Sequence, residues 1–441
     1  MDQKKRVIII GCGFAGLGCA KKLVEHDNVY ITLIDKNNYH QFQPLLYQLA
    51  TSALGSDQIA TSIRELVKNR PNGDFKMAEV TSIDPHTLTV TTKTGETYQG
   101  DYLVLATGSQ ASFFGTPGAS QYAFPLYSLN DAERLRSRIL TVFEDVDRNP
   151  ELLKKGGLNF VIIGAGPTGT EMAGALGDML NDVMPREYTD LNVKAARIYL
   201  VDHAHTVLRA FSEKSQRYAT KQLQKRGVEL RLGLSVKEVE SGAVLLSDGT
   251  RILSHTLIWA GGLKAAELAS HSGLSQGPGQ RINVQPDLAV EGFPNIYVLG
   301  DCANIPSSTG KPFPQLGSIA QQSGYWAAKN ILAQIAGEPT QPFHYHDKGI
   351  MAMIGRNNAV AEIGEQRHEI EGVVAYAAWL GVHAALMPFA WQQVETFIGW
   401  AWEYFSRTHA LQISDRPDAM QIDWGENEQP PITKNTNNED K

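Results

Sequence analysis

Cysteine is scarce in this chain of 441 residues, which contains only Cys12, Cys19 and Cys302. Their spacing matches neither a zinc-binding motif nor the C-x₄-C pair of a redox-active disulfide, and an odd number favours reduced thiols. Cys12 and Cys19 are interpreted as small apolar residues packed around a glycine-rich loop. Neither a metal site nor a catalytic disulfide is therefore expected.

An excess of basic residues is also lacking. There are 40 Lys and Arg against 47 Asp and Glu, and the net charge is −7, so nucleic acid is not expected as a partner. A hydrophobic content of 42% is typical of a globular protein, and the length suggests about three domains. Only MDQKKR precedes the first apolar run. We therefore expect no signal peptide and a cytoplasmic amino-terminal part.

The sequence does contain the same glycine-rich motif twice. The first copy follows VIIIG, an apolar run that predicts a strand buried on both faces of a parallel sheet. Gly11, Gly13 and Gly16 then give G-x-G-x-x-G, and a stretch with helical spacing follows. A second strand ends at Asp35, about 20 residues beyond the loop, where a ribose needs an acceptor. These features predict a dinucleotide site with its phosphates at the helix amino terminus.

The second copy, NFVIIGAGPTGTEMA, supplies Gly164, Gly166 and Gly169. Pro167 stands where a helix can begin, and the strand RIYLVD ends at Asp202. The interval from Gly169 to Asp202 is longer than the corresponding interval in the first copy, and we attribute the difference to an inserted loop, PREYTDLN. A carboxylate at Asp202 would accept from a 2′-hydroxyl and repel a 2′-phosphate, which favours NADH over NADPH.

Two such sites fit a bound flavin and a diffusing nicotinamide, between which hydride can pass. A late strand followed by Gly300 and Asp301 is typical of the segment that completes an amino-terminal flavin domain. The strand before Thr107 and Gly108 has a counterpart in the second half, before Gly261. We therefore predict an FAD-binding domain that is interrupted by an NADH-binding domain.

Apolar residues and tryptophans concentrate near the carboxyl terminus. No Asp, Glu, Lys or Arg lies between Gly372 and Val394, and four of the seven tryptophans fall in this region: Trp379, Trp391, Trp400 and Trp402. Tryptophan prefers the head-group level of a membrane. Two amphipathic helices lying in one leaflet are the favoured interpretation. A buried dimer interface and a membrane span are the alternatives.

The predicted fold is α/β, with two Rossmann-type dinucleotide-binding domains and a carboxyl-terminal membrane-associating helical region. The predicted division is an FAD domain in two parts, residues 1–115 and 266–345, an NADH domain at 116–265, a membrane-anchoring region at 346–424 and a disordered tail at 425–441.

Four segments resemble the type II NADH dehydrogenases of bacteria, the single-chain NADH:quinone oxidoreductases that do not pump protons. They are NYHQFQPLLYQLATSAL (38–54), GAGPTGTEMAGAL (164–176), VLGDCA (298–303) and AMIGRNNAVAEIG (352–364). The resemblance implies a respiratory flavoenzyme with FAD and NADH as cofactors and a membrane quinone, menaquinone or ubiquinone, as acceptor. It also implies a peripheral protein on the inner leaflet, at the cytoplasmic face of the cell membrane, and leaves a homodimer open.

The resemblance further assigns the FAD contacts: Gly11, Gly13, Phe14, Ala15 and Gly16 to the pyrophosphate, Asp35, Lys36 and Val80 to the adenosine end, and Asp301 to the flavin. Arg356 matches a basic position near the isoalloxazine ring. Glu171 matches a glutamate placed near the flavin and the nicotinamide, where a carboxyl of raised pKa can relay protons or position a ring. A capping or dipole role alone is the alternative for this residue.

The quinone motif of the family, A-Q-x-A-x-Q-Q-G, is altered in this chain. Gly317 and Ser318 stand where Ala and the first Gln are expected, Gln322 retains the second Gln, and Gln315 can compensate from upstream. Alternatively, these glutamines cap a helix that begins near Ser318. Because of this departure, a soluble NADH-dependent reductase of a non-quinone acceptor and a non-catalytic flavin redox sensor stay open as functions.

Overall fold

The computed structural model describes residues 4–307, 310–406, 412–414, 422, 424 and 425. Contacts divide the chain into two units. The first comprises Met1–Gln41, Ala60–Gln110 and Leu263–His346, and the second comprises Phe42–Ile59, Ala111–Gly262 and Asp347–Lys441. The five-part division expected from the sequence is finer and stays a prediction. Residues 426–441 of the expected tail lie outside the described residues.

The first unit is built on a six-stranded sheet. The predicted amino-terminal strand spans Lys5–Ile10 and pairs in parallel with Val29–Asp35 and Tyr102–Leu105. Its apolar residues are all buried, as a central strand of a parallel sheet requires. The order across the sheet is Ala289–Val290, Phe293–Val298, Tyr102–Leu105, Lys5–Ile10, Val29–Asp35 and Gly73–Met77.

Two helices of the first unit pack closely on each other. One is Phe14–Leu23, which follows the first glycine loop, and the other is Gly317–Ile335. A Cβ atom at Gly324 would overlap the carbonyl oxygen of Ala15, so only glycine allows this approach. Shorter elements of this unit are the strands Tyr39–Gln41, Ala60–Ser62, Val80–Asp84, Thr89–Thr92, Thr97–Gln99, Ser109–Ala111, Leu263–Ala265, Ile282–Asn283 and Ala303–Asn304, and the helices Arg64–Val67, Glu267–His271, Pro278–Gln280 and Gly300–Cys302.

The second unit contains a five-stranded parallel sheet. The predicted strand Asn159–Ile163 lies between Thr256–Trp259 and Arg197–Asp202. The order is Phe124–Pro125, Thr256–Trp259, Asn159–Ile163, Arg197–Asp202 and Val228–Leu232. A strand, glycine loop and helix thus recur in both units, and the predicted α/β fold with two Rossmann-type sheets is confirmed.

Helices of the second unit are Gln43–Leu45, Leu46–Ala50, Ser56–Ile59, Ala119–Tyr122, Leu129–Arg148, Pro150–Lys155, Pro167–Asp178, Met179–Val183, Met184–Glu187, Val193–Ala195 and Glu213–Lys225. A small antiparallel sheet is formed by Val236–Glu240, Ala243–Leu246 and Arg251–Leu253. The expected inserted loop, PREYTDLN, is helical at its start. Pro185 lies in the first turn of Met184–Glu187, where its missing N–H costs nothing.

The predicted membrane-anchoring region, residues 346–424, begins with a β-sheet. The strands Gly349–Met353, Ala359–Ile363 and His368–Gly372 pair antiparallel. The first two are joined by a tight turn in which Asn357 has a positive φ of 61°, a conformation that asparagine tolerates better than most residues.

Two terminal helices follow, as predicted, at Val373–Leu386 and Ala390–Ser406. The second helix buries the polar residues Gln392 and Thr396. Both helices expose apolar side chains: Val373, Val374 and Val382 on the first, and Trp391, Val394, Phe397, Ile398, Trp402 and Phe405 on the second. Among the described residues, no helix combines the length and apolar character needed to cross a bilayer.

Candidate active site

The first glycine loop is a tight corner with one open position. A Cβ atom at Gly11, whose φ is 93°, would overlap the carbonyl oxygen of Ala106, and one at Gly16 would overlap the carbonyl oxygen of Gly11. At Gly13, by contrast, no atom of the described residues lies within 4 Å of the Cβ position. Gly13 is also the N-cap of the helix Phe14–Leu23, and no side chain caps that helix. The open backbone position at the amino terminus of this helix fits a pyrophosphate.

The second loop repeats this geometry. Gly164 has a φ of 103° and approaches Ala260, and a Cβ at Gly169 would overlap the carbonyl oxygen of Gly164. Gly166 is the open position and the uncapped start of Pro167–Asp178. The residues of both loops therefore fit a dinucleotide each, without further adjustment of the backbone.

The acid at the end of each second strand is tied to its loop. Asp35 accepts hydrogen bonds from the N–H of Cys12 at 2.7 Å and of Asn37 at 2.8 Å. Asp202 accepts in the same way from Ala165 at 2.6 Å and Ala204 at 2.7 Å. Burial raises the pKa of Asp35 against these two hydrogen bonds, which lower it. Both acids thus orient the loop backbone, a role that the sequence did not reveal.

Cys12 and Cys19 are packed as small buried residues, as interpreted. All three are free and buried, and burial raises the pKa of Cys12 and Cys19, so neither thiol is activated. His40 Nδ1 donates to the carbonyl oxygen of Cys12 over 2.8 Å, and its ring packs edge-on against Phe14 at 5.4 Å. The loop is therefore held from the side by the first part of the NYHQF segment.

The late Gly-Asp segment lies beside the first loop. A Cβ at Gly300 would lie 3.1 Å from that of Ala15, and Asp301 Oδ2 accepts from Ser109 Oγ at 2.9 Å. Ser109 directly follows Thr107 and Gly108, so the expected flavin contacts of the first unit converge at one end of its sheet. Lys36 follows Asp35, and Val80 begins the strand Val80–Asp84; their adenosine contacts stay a prediction.

The residues expected to contact quinone already have protein partners. Gln322 is held at both ends of its amide by the backbone of His346, at 3.0 Å each. Ser318 Oγ lies 2.9 Å from Tyr345 Oη, and Gln315 donates to the carbonyl oxygen of Asp301 at 3.1 Å. The helix begins at Gly317 and no side chain caps it, so the alternative of capping glutamines is wrong. The quinone contacts themselves stay a prediction.

Glu171 is buried in the second unit. It is 8% exposed, and its Oε1 accepts from the N–H of Met353 at 3.1 Å. Burial raises the pKa of Glu171 to about 8, opposed by the Met353 hydrogen bond and the approach of the Trp379 indole. Next to it, Trp379 stacks on His383 with ring centroids 3.8 Å apart. Burial lowers the pKa of His383 to about 4, so this imidazole is neutral near pH 7.

Four residues near Glu171 were missed as site residues: Tyr47, Gln48, Trp379 and His383. Trp400 donates to Gln48 at 2.7 Å, and Gln48 donates to Tyr47 at 2.9 Å. The available signal was the polar pair inside the apolar signature PLLYQLA and the lone histidine in a stretch without charges. These residues join Glu171 to the terminal helices.

Arg356 is paired with acids of its own unit. Its guanidinium lies 2.9 Å from Glu403 and 4.0 Å from Asp182, and its backbone N–H donates to Asp178 at 2.6 Å. Asp178 also pairs with Arg226 at 2.8 Å. These contacts fasten the second terminal helix to the helix of the second glycine loop. The expected position near the flavin ring stays a prediction.

Comparisons with known proteins agree with this geometry. Residues 5–324 match the family described as pyridine nucleotide-disulphide oxidoreductase. The chain is 36% identical to a type II NADH:quinone oxidoreductase of Mycobacterium tuberculosis over 430 residues, which are 94% of this chain and 91% of the relative. It is 32% identical to one of Staphylococcus aureus over 371 residues, 82% of this chain and 90% of the relative.

Solved structures support the fold. The NDH2 protein of Plasmodium falciparum in complex with NADH is similar with a TM-score of 0.85 at 20% identity, covering 91% of this chain and 99% of that one. The sulfide:quinone oxidoreductase of Aquifex aeolicus is similar with a TM-score of 0.71 at 20% identity, covering 91% and 95%.

The two open glycines provide a matched pair of variants. Gly13→Ala and Gly166→Ala each add a methyl group where the protein leaves space, so both variants are expected to fold. Gly13→Ala should weaken FAD binding, and Gly166→Ala should retain FAD but raise KM for NADH, each on the order of tenfold or about 1.4 kcal/mol. FAD titration of apoprotein and steady-state kinetics measure the two effects. Equal effects of both variants on FAD would contradict the assignment.

Glu171 should make stability depend on pH. Because its pKa is about 8 in the folded protein and 4.5 in its ordinary state, the folded state binds this proton more tightly than the unfolded chain. The free energy of unfolding should therefore fall as the pH rises from about 5 to 8. Glu171→Gln should remove this fall, so its Tm should exceed that of the wild type more at pH 8.5 than at pH 5.5. The exposed Glu395→Gln is the control. If the Tm of Glu171→Gln and that of the wild type changed in parallel with pH, the proposed contribution of Glu171 to the pH dependence of stability would be excluded.

Proposed function

This chain belongs to the pyridine nucleotide-disulphide oxidoreductases and, within them, to the type II NADH:quinone oxidoreductases, and on that premise we propose how its residues serve electron transfer from NADH to a membrane quinone without proton pumping. FAD and NADH are its cofactors, and FAD, when bound, accepts hydride from NADH and gives two electrons to quinone. The observation that carries the assignment is the repeated glycine loop, in which Gly13 and Gly166 leave the same position open.

The two loops hold different dinucleotides. We assign FAD to the loop of Gly11, Gly13 and Gly16 because Asp301 and Ser109 lie beside it and complete a flavin site. NADH is assigned to the loop of Gly166, where Asp202 stands at the end of the second strand and disfavours a 2′-phosphate. Each loop binds phosphates through backbone N–H groups, so neither site needs a basic side chain there.

Glu171 supplies a proton-holding group in the second unit. With a pKa of about 8, its carboxyl is largely protonated near pH 7. The Met353 N–H donates to its Oε1. Reduction of a quinone to a quinol consumes two protons, and a buried carboxylic acid that exchanges protons near neutral pH is suited to deliver one of them.

We propose that the terminal helices attach the protein to the inner, cytoplasmic leaflet as a peripheral protein. Their outward side chains include Val374, Ile398 and Phe405, which are 66%, 62% and 81% exposed. Transfer of such side chains out of water is favourable by about 1.5–3 kcal/mol each. Exposed apolar patches of this kind mark membrane or protein contacts. The bilayer is favoured because tryptophans lie at both the inner and outer faces of these helices.

Anaerobic stopped-flow absorbance tests the activity. We expect NADH to bleach the flavin of the FAD-loaded protein, and a short-chain naphthoquinone or benzoquinone to restore its absorbance within the time of turnover. Bleaching without recovery by either quinone would overturn the quinone assignment and favour another acceptor or a sensor. Absence of bleaching by NADH would overturn the donor assignment.

Charges on the terminal helices should release the protein from membranes. The double variant Ile398→Asp/Phe405→Asp should bind anionic phospholipid vesicles about a hundredfold more weakly, because two side chains lose roughly 3 kcal/mol or more of transfer free energy. Phe114→Asp is the control, since Phe114 is 71% exposed but lies outside these helices. Vesicle co-sedimentation measures binding. Unchanged binding, with dissociation of a dimer in ultracentrifugation, would instead identify these faces as a subunit interface.

A further inference from the structure

A directed chain of hydrogen bonds ends at the hydroxyl of Tyr47. Trp400 Nε1 donates to Gln48 Oε1 at 2.7 Å, and Gln48 Nε2 donates to Tyr47 Oη at 2.9 Å. An indole nitrogen can only donate, so the indole of Trp400 fixes which end of the Gln48 amide faces it. The amide must then present its NH₂ group to Tyr47. As a result, Tyr47 Oη acts as an acceptor for Gln48, and its own proton points elsewhere.

That proton has a poor partner. Among the described residues, Tyr47 Oη donates to the thioether Sδ of Met353 at 3.3 Å, and a thioether is a weak acceptor. Tyr47 is 4% exposed, so water is not a ready alternative. A buried donor without a good acceptor costs free energy. The Gln48 amide orients the Tyr47 hydroxyl, and the sulfur atom is only a weak acceptor for its proton. This hydroxyl is therefore suited to donate to a stronger acceptor.

The surroundings of Tyr47 suit a quinone head group. Met353 presents its N–H to Glu171 and its sulfur to Tyr47, so the acid and the hydroxyl flank one residue. Trp379 packs edge-on against Tyr47, with ring centroids 6.4 Å apart. Trp379 and Trp400 come from the two terminal helices, whose outer faces are apolar. Burial, with a further contribution from Glu171, raises the pKa of Tyr47, so the hydroxyl keeps its proton.

We propose that Tyr47 donates a hydrogen bond to a carbonyl oxygen of the quinone, its O–H turning from Met353 Sδ to that oxygen, and that the Trp400–Gln48 pair aims it. The inference rests on the proposed function and deepens it. No covalent bond is made or broken at Tyr47. The hydrogen bond stabilises the negative charge that gathers on the carbonyl oxygen as electrons arrive from the reduced flavin, and both protons of the quinol come from other groups.

Tyr47→Phe tests the proposal because it removes only the hydroxyl. We expect NADH to reduce the flavin at the wild-type rate, whereas reoxidation by a short-chain quinone should slow by about tenfold to a hundredfold. Reoxidation by ferricyanide, which has no carbonyl group, should be unchanged. A merely structural role would slow both oxidants alike, and reoxidation by quinone at the wild-type rate would overturn the proposal.

Two further variants make the test decisive. Tyr376→Phe removes a hydroxyl from another buried tyrosine of the same unit, 8% exposed, and should leave both reactions within about twofold of the wild type. Trp400→Phe leaves Tyr47 intact but frees the Gln48 amide, so it should slow quinone reoxidation in the same selective way and to a smaller extent. The Trp400→Phe variant also tests the proposal if Tyr47→Phe fails to fold. Failure of the wild type itself to react with quinone would refute the proposed function, whereas recovery of wild type and Tyr47→Phe at equal rates refutes only this inference.

Discussion

The contact between the first and third glycines of each loop is the constraint on which both nucleotide sites depend. At Gly16 and at Gly169 the helix backbone lies so close to the carbonyl oxygen of Gly11 or Gly164 that no side chain fits. This contact fixes the angle between the strand and the helix, and therefore the direction in which the free N–H groups point. The carboxylates of Asp35 and Asp202 fasten the same corner from the neighbouring strand. Phosphate binding, as proposed, is thus a property of backbone geometry in both copies.

The two copies differ chemically because different segments cover the helix that follows each glycine loop. In the first unit, Gly18 and Cys19 lie on a helix face that packs on Gly317–Ile335, where Gly324 allows close approach and Gly18 faces Gln321 and Tyr325. In the second unit, the corresponding helix places Glu171 beneath Met353 and Trp379. Burying a carboxyl with one backbone hydrogen bond is costly, and the cost is reduced because the group stays protonated near neutral pH. The copy with the glutamate therefore has a buried carboxylic acid, and the copy with the cysteine has a packed thiol.

Local patterns in the sequence predicted the parts of the fold that are local in nature. The runs VIIIG and NFVIIG, the glycine spacing and the strand ends at Asp35 and Asp202 each carry their own signal, and the structure has these elements where they were expected. Contacts between distant segments carry no such signal. The clamp of His346 on Gln322, the pair of Glu403 with Arg356 and the link from Trp400 to Gln48 each join residues more than 20 positions apart. Sequence patterns therefore located the two glycine loops but missed most of the surroundings of Glu171.

The second terminal helix has an arrangement of side chains opposite to that of a helix on a water-soluble protein. Its inner face is polar at Gln392 and Thr396, which both donate to the carbonyl oxygen of Gln58, and Trp400 one turn later binds Gln48. Its outer face is apolar. Polar inner contacts are directional, so they fix the register of the helix on residues 42–59 without relying on the hydrophobic effect, which would favour burying the other face. If the outer face lies in lipid, as proposed, the same helix that meets the membrane also orients the hydroxyl of Tyr47 through Gln48. The position of the quinone head group and part of the attachment to the membrane then depend on the same helix.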